Sequence, residues 1–144
     1  MIRTTAGLLA LTVIAGCASR SPAPDNWHPV AGDSNTWSIG TGTSLQQYRL
    51  TATPFDGGLH DLASEVALQT LTGHPGARLE GSEPFGPCPG EAGIASFRLP
   101  GGRRLEEAFS VHDGKAVRVA YSRPAASRSD PGADDAMRRT LCTL

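Results

Sequence analysis

The chain has 144 residues, with 13 Lys and Arg against 14 Asp and Glu and a formal net charge of -1. So even a balance gives no field to draw in nucleic acid, and no nucleic-acid partner is expected. The length suits one domain with a modest core and is too short for two.

Arg3 supplies one positive charge ahead of an apolar run from Ala6 to Ala15. That run falls far short of the ~20 residues a helix needs to cross the hydrocarbon core. A short basic start, a brief apolar stretch and small residues after it describe a secretory signal. The signal ends in Ile14, Ala15, Gly16 and Cys17. This tetrad resembles the lipobox of bacterial lipoproteins, a branched aliphatic residue followed by two small ones and cysteine. The resemblance covers residues 1–17 and implies acylation of the Cys17 sulfur, cleavage after Gly16 and acylation of the new α-amine. Several acyl chains hold a protein firmly at a bilayer, where one chain binds only marginally. Ala18 in place of Asp, by the sorting rule of Gram-negative lipoproteins, implies the outer membrane, facing the periplasm. Two other readings compete: an ordinary secretory cleavage that releases a soluble protein, and an uncleaved anchor.

With Cys17 taken by lipid, Cys88 and Cys142 are left, and an oxidising periplasm pairs them. The alternative is a reactive thiol at Cys88, between Pro87 and Pro89; the chain has no CxxC motif.

Three segments follow from composition: a signal over 1–16, a flexible tether over 17–36 and a domain over 37–144. The tether is read from Pro, Ser and turn formers without apolar periodicity. Trp27 and Trp37 stand at its end; either they dock on the domain, with a first edge strand over Thr36 to Ile39, or they form an exposed aromatic site for a partner or glycan. Alternation from Leu45 to Thr53, with Tyr48 and Leu50 on one face, predicts a half-buried strand. A helix is expected over 61–72, its stripe formed by Leu62, Ala63, Val66, Ala67, Thr70 and Leu71, with Gly73 at its stop. After a short strand over 77–81 comes a three-stranded meander: Ala92 to Leu99, Leu105 to Val111, and Val117 to Tyr121. Asp113 and Gly114 form the hairpin turn between the last two, since both central residues of a type I′ turn need positive φ. Asp130 and Pro131 read as N-cap and first residue of a helix over 131–142, with Ala133, Ala136, Met137, Thr140 and Leu141 inward.

The fold class is therefore α+β: a single small domain whose antiparallel sheet is covered by two helices. The element order over 37–144 resembles the α/β/α sandwich of PsbP-type extrinsic photosystem proteins and their bacterial lipoprotein relatives, which mostly act as accessory factors. The competing arrangement puts both helices on one face.

Chemistry-bearing patterns are few. His28, His60, His74 and His112 show no ligand spacing, and all read as solvated turn residues. No G-x-S-x-G is present, and Gly40 to Ser44 lacks the lysine of a phosphate loop. No cofactor or metal is expected. Glu106 and Glu107 point to opposite faces of a strand, so they cannot share a proton. Glu107 falls on the apolar face with Leu105 and Phe109, where a carboxylate is costly. Either that face is partly open, or Glu107 meets an arginine such as Arg98 or Arg118. Three functions stand open: a non-catalytic envelope lipoprotein that binds an unknown envelope protein; a small-ligand carrier with a pocket around Tyr48, Phe97 and Phe109; and a hydrolase around His60 and Asp61.

Overall fold

A computed structural model describes residues 21–142, a single α+β domain with seven strands and two helices. The strands are β1 (His28–Val30), β2 (Asp33–Ile39), β3 (Gln46–Pro54), β4 (Arg78–Pro84), β5 (Ala92–Leu99), β6 (Arg103–His112) and β7 (Lys115–Pro124). The helices are α1 (Leu59–Gly73), between β3 and β4, and α2 (Pro131–Leu141), after β7. One antiparallel sheet has the order β1-β2-β3-β7-β6-β5-β4. Chain order is broken once: α1 carries the chain from β3 over to the far edge strand β4.

Turn chemistry sets the hairpins. Asp113 and Gly114 both take positive φ, 49° and 70°, and close β6 onto β7 in the register His112 opposite Lys115. Gly101 and Gly102, at 81° and 74°, turn β5 into β6.

Alternation along the strands sends two sets of side chains to opposite faces. On one face Ala95, Phe97, Leu105 and Phe109 meet Leu62 and Val66 of α1. On the other, Tyr48, Ala108, Val119 and Tyr121 meet Ala133, Met137 and Leu141 of α2. The helices thus lie on opposite faces. On α1 the buried residues are Leu62, Val66 and Thr70, while Leu71, expected in the stripe, is exposed. The helix rests on the sheet along one narrow line, so a residue a further 100° round the axis reaches water.

Helix ends follow the sequence cues with one shift. Asp130 caps α2, its carboxylate accepting from the Ala133 N–H at 3.1 Å. Asp61 stands at the third position of α1 rather than at its cap, and accepts from the Gly58 N–H at 2.9 Å. His112 is no solvated hairpin tip: its Nε2 donates to the Leu141 carbonyl at 3.0 Å and satisfies an orphan acceptor of α2.

The stretch expected to be a tether departs most from expectation. Within its described part it contributes β1 and the start of β2 to the sheet. Trp27 is buried, with its ring edge-on to Tyr48 at 6.4 Å and Tyr121 at 5.9 Å, and its Nε1 donates to Asp130 at 3.2 Å. Trp37 is half-buried against Tyr48 at 6.2 Å. Two aromatic rings bury enough apolar area to order a segment that shows no periodicity. Pro29 is tolerated because β1 is an edge strand. Trp27 therefore offers no exposed aromatic platform.

The sulfurs of Cys88 and Cys142 are 2.06 Å apart, which ties the loop before β5 to the end of α2. The bridged residues are 54 apart in sequence, and by chain-entropy reasoning closing such a loop contributes about 4 kcal/mol. The Cys88→Ser, Cys142→Ser double variant is expected to lose about 2–5 kcal/mol in urea unfolding monitored by tryptophan fluorescence. The chain's two tyrosines are both fully buried, and burial pushes both hydroxyls above their ordinary range. Their contribution to stability is whole below the unfolded value of about 10 and is lost as pH climbs beyond it toward the folded values. Tyrosinate absorbance is expected to stay silent through that ordinary range and to appear in one step with alkaline unfolding.

Candidate functional site

The α1 face of the sheet is only partly covered. Leu62 and Val66 seal its β5–β6 side, but the outward residues of β2, β3 and β7 have no helix above them. A groove of about 560 Å³ opens there, bounded by β2 and by His74 just past the end of α1. Its lining is mixed: Gln47, Arg49 and Thr51 from β3 and Arg118 and Ser122 from β7 stand beside the apolar Val30, Leu99, Leu105 and Ala120.

Glu107 lies at the line where covered and uncovered sheet meet, 9 % exposed. Its Oε2 accepts from Thr70 Oγ1 of α1 at 2.7 Å and from Arg118 Nη2 at 3.2 Å. Arg118 Nη1 in turn donates to Gln69 Oε1 at 2.5 Å. Both readings of Glu107 hold together: the face is partly open, and the carboxylate is paired. Its arginine is Arg118, because residues 107 and 118 share a face in the β6–β7 register. Arg98 points to the other face, where it pairs with Glu80 at 3.2 Å. A carboxylate with two charge-assisted donors is tolerable in a half-dry position where an unpaired one is not.

At the opposite rim, Asp33 accepts from the Asn35 N–H at 3.0 Å, the Thr36 hydroxyl at 2.8 Å and Arg49 Nη2 at 3.3 Å. The Asn35 N–H, then the Thr36 hydroxyl and the Arg49 charge, hold this exposed carboxyl below the usual carboxylate range. Arg103 braces the same end of the sheet, Nη2 donating to the Leu45 carbonyl at 2.7 Å and to Ser122 Oγ at 3.1 Å. The groove thus has two carboxylates, each already engaged by an arginine, and hydroxyl and amide groups between them. Such a surface can hydrogen-bond a polar partner. Its one histidine, His74, bonds its own helix at Thr70 O, 3.2 Å away.

The other sequence-based site residues are not brought here. Tyr48 lies on the α2 face while Phe97 and Phe109 lie on the α1 face, all buried, so no pocket forms among them. His60 and Asp61 are both exposed at the start of α1, with Asp61 engaged in capping. A second hollow of about 390 Å³ lies beside them, lined by Leu59, Ala63, Pro84 and Phe109 together with His60 and Glu83. Among the described residues no three His, Cys, Asp or Glu side chains converge as a metal site, and no helix is long and apolar enough to cross a membrane. Cys17 lies outside the described residues. No protein-family model matches the chain, and no curated protein matches its sequence.

Removing the Glu107 carboxylate strands the Thr70 hydroxyl and leaves Arg118 with Gln69 alone. Glu107→Ala is expected to cost about 1–3 kcal/mol in urea unfolding, and Glu107→Gln less. In a double-mutant cycle with Arg118→Met, a coupling of at least about 0.5 kcal/mol is the expected result.

Proposed function

We propose that this chain is a non-catalytic lipoprotein of the bacterial envelope, acylated at Cys17 and held at the outer membrane facing the periplasm, whose domain binds an envelope protein through the groove beside Glu107. The observation that carries the binding part is the uncovered half of the α1 face, a hollow of about 560 Å³ where Arg49, Arg118 and Ser122 stand beside Val30, Leu99 and Leu105. An antiparallel sheet can leave part of a face to water, but a concave one that brings hydrogen-bonding groups and apolar side chains together is a place for a partner. The anchor part rests on Ile14 to Cys17 at the end of the apolar run, and draws support from the paired Cys88 and Cys142, which suit an oxidising compartment. One helix on each face of the sheet is also the layering that the PsbP-type resemblance implies. A small polar ligand is the second reading, because the same groove volume falls within the range of small-molecule sites.

Intact mass of the protein isolated from membranes is expected to fit a chain that starts at Cys17 and carries acyl groups; a bare chain starting elsewhere overturns the anchor. A photo-crosslinking residue at Thr51, in the groove, is expected to capture an envelope protein, while one at Leu68, 69 % exposed on α1 away from the groove, captures none. Equal capture at both positions removes the groove as the docking surface.

A further inference from the structure

The described chain starts at Ser21, and its first residues run along α2 as a strap. Arg139 Nη1, in the last turn of α2, donates to the Ser21 carbonyl at 2.9 Å. Pro24 is buried, and the backbone of Asp25 lies 3.3 Å from where a Cβ on Gly132, in the first turn, would stand. Trp27 then reaches Asp130 at the cap. The strap therefore runs antiparallel to α2, with its N-terminal end at the helix's C-terminal end. Cys17 is four residues before Ser21, a span of ~14 Å at most for an extended chain.

The end of the domain where the strap begins is also defined from other directions. There the last turn of α2 meets the β6–β7 hairpin through His112 and Leu141, and Phe55 N–H donates to the Gly114 carbonyl at 2.8 Å. Lys115, Arg138 and Arg139 are at this end, with Asp113 in the turn, Asp56 next to Phe55 and Asp135 bonded to both arginines at 2.8 Å. The acids of α2, Asp130 and Asp134, stand towards its other end. Along β7 the groove runs from Arg118, ~10 Å from Lys115, to Ser122. It is on the opposite face of the sheet, near the end of α1, and Ser122 is ~23 Å further along β7 than Lys115 at 3.3 Å per residue.

We propose that the domain stands on the lipid surface by this end, with the last turn of α2 and the β6–β7 hairpin against the headgroups and the groove turned outward. The inference rests on the lipid-anchored reading and adds an orientation to it. A strap bonded along α2 leaves only four residues of slack, so the domain cannot be held far from the bilayer. The charges at this end balance, three cations against three acids, so the short link and not electrostatic attraction sets the contact.

The geometry can be tested without relying on acylation in the cell. With Cys88 and Cys142 joined, Cys17 is the single free thiol of the chain spanning residues 17–144, and it couples to a maleimide lipid in nanodiscs. Nanodiscs of phosphatidylethanolamine and phosphatidylglycerol containing a gadolinium-chelating lipid then broaden the amide resonances nearest the surface. Loss of the signals of Gly114, Lys115 and residues 138–141 is expected, with those of Thr36, Gln47 and Ser122 retained. Equal loss at both ends, or loss at the groove end alone, overturns the orientation. A ten-residue Gly-Ser insertion after Cys17 is expected to abolish the selectivity; selectivity that survives the insertion shows that the short link does not set the orientation and overturns that argument. Intact mass of the cell-made protein tests acylation separately, so the failure of one reading is distinct from the failure of the other.

Discussion

The α2 side of the domain is held together by one carboxylate, Asp130. It caps α2 through the Ala133 N–H and accepts the indole N–H of Trp27. Its own backbone N–H donates to the Tyr121 hydroxyl at 2.9 Å, and that hydroxyl donates to Gln46 on β3. Four segments distant in sequence thus meet at one residue: the strap, β3, β7 and α2. Capping energies are usually about 1 kcal/mol, but here the same group also positions a tryptophan that fills the space between two tyrosine rings. Loss of the carboxylate would leave a buried indole N–H unpaired as well as a helix uncapped, and such losses compound.

The two helices cover the sheet unequally, and this asymmetry shapes the surface. The α2 face is sealed by the helix together with the strap and Trp27. The α1 face has one helix and no strap, so β2, β3 and β7 keep an open floor of mixed polar and apolar side chains. Glu107 marks the boundary. On the covered side its neighbours Leu105 and Phe109 are buried, and on the uncovered side its partner Arg118 lies over the sheet. The ion pair lets a strand pass from dry core to wet groove without a stranded charge.

Much of this fold was legible because the signals are local. Alternation and the Asp113–Gly114 turn set β6 and β7, and the Asp130–Pro131 pair set the start of α2. Glu107 was legible as an acid in an apolar row, and Arg118 as one of two arginines that could meet it. Other parts were hidden for physical reasons. Trp27 is ordered by Asp130, 103 residues away, so nothing near it in the chain distinguishes a strap from a leash. The polar face of β3, with Gln47, Arg49 and Thr51, has the same pattern whether it meets open water or floors a groove. Alternation also leaves unstated which faces of different strands coincide, and so Tyr48 was grouped with Phe97 and Phe109 although the sheet separates them.

The strap has a consequence for how the domain is made. Its contacts bridge 103 and 118 residues, so the segment synthesised first waits for a helix synthesised near the end of the domain. Until α2 emerges, the Trp27 indole N–H has no Asp130 to bond, the strap has no helix to lie along, and Cys88 has no partner in Cys142. Growth from the N-terminus cannot settle the molecule piece by piece, because long-range closure must precede its reward. A chain interrupted ahead of residue 130 would leave the α2 face of the sheet uncovered and the Cys88 thiol unpaired.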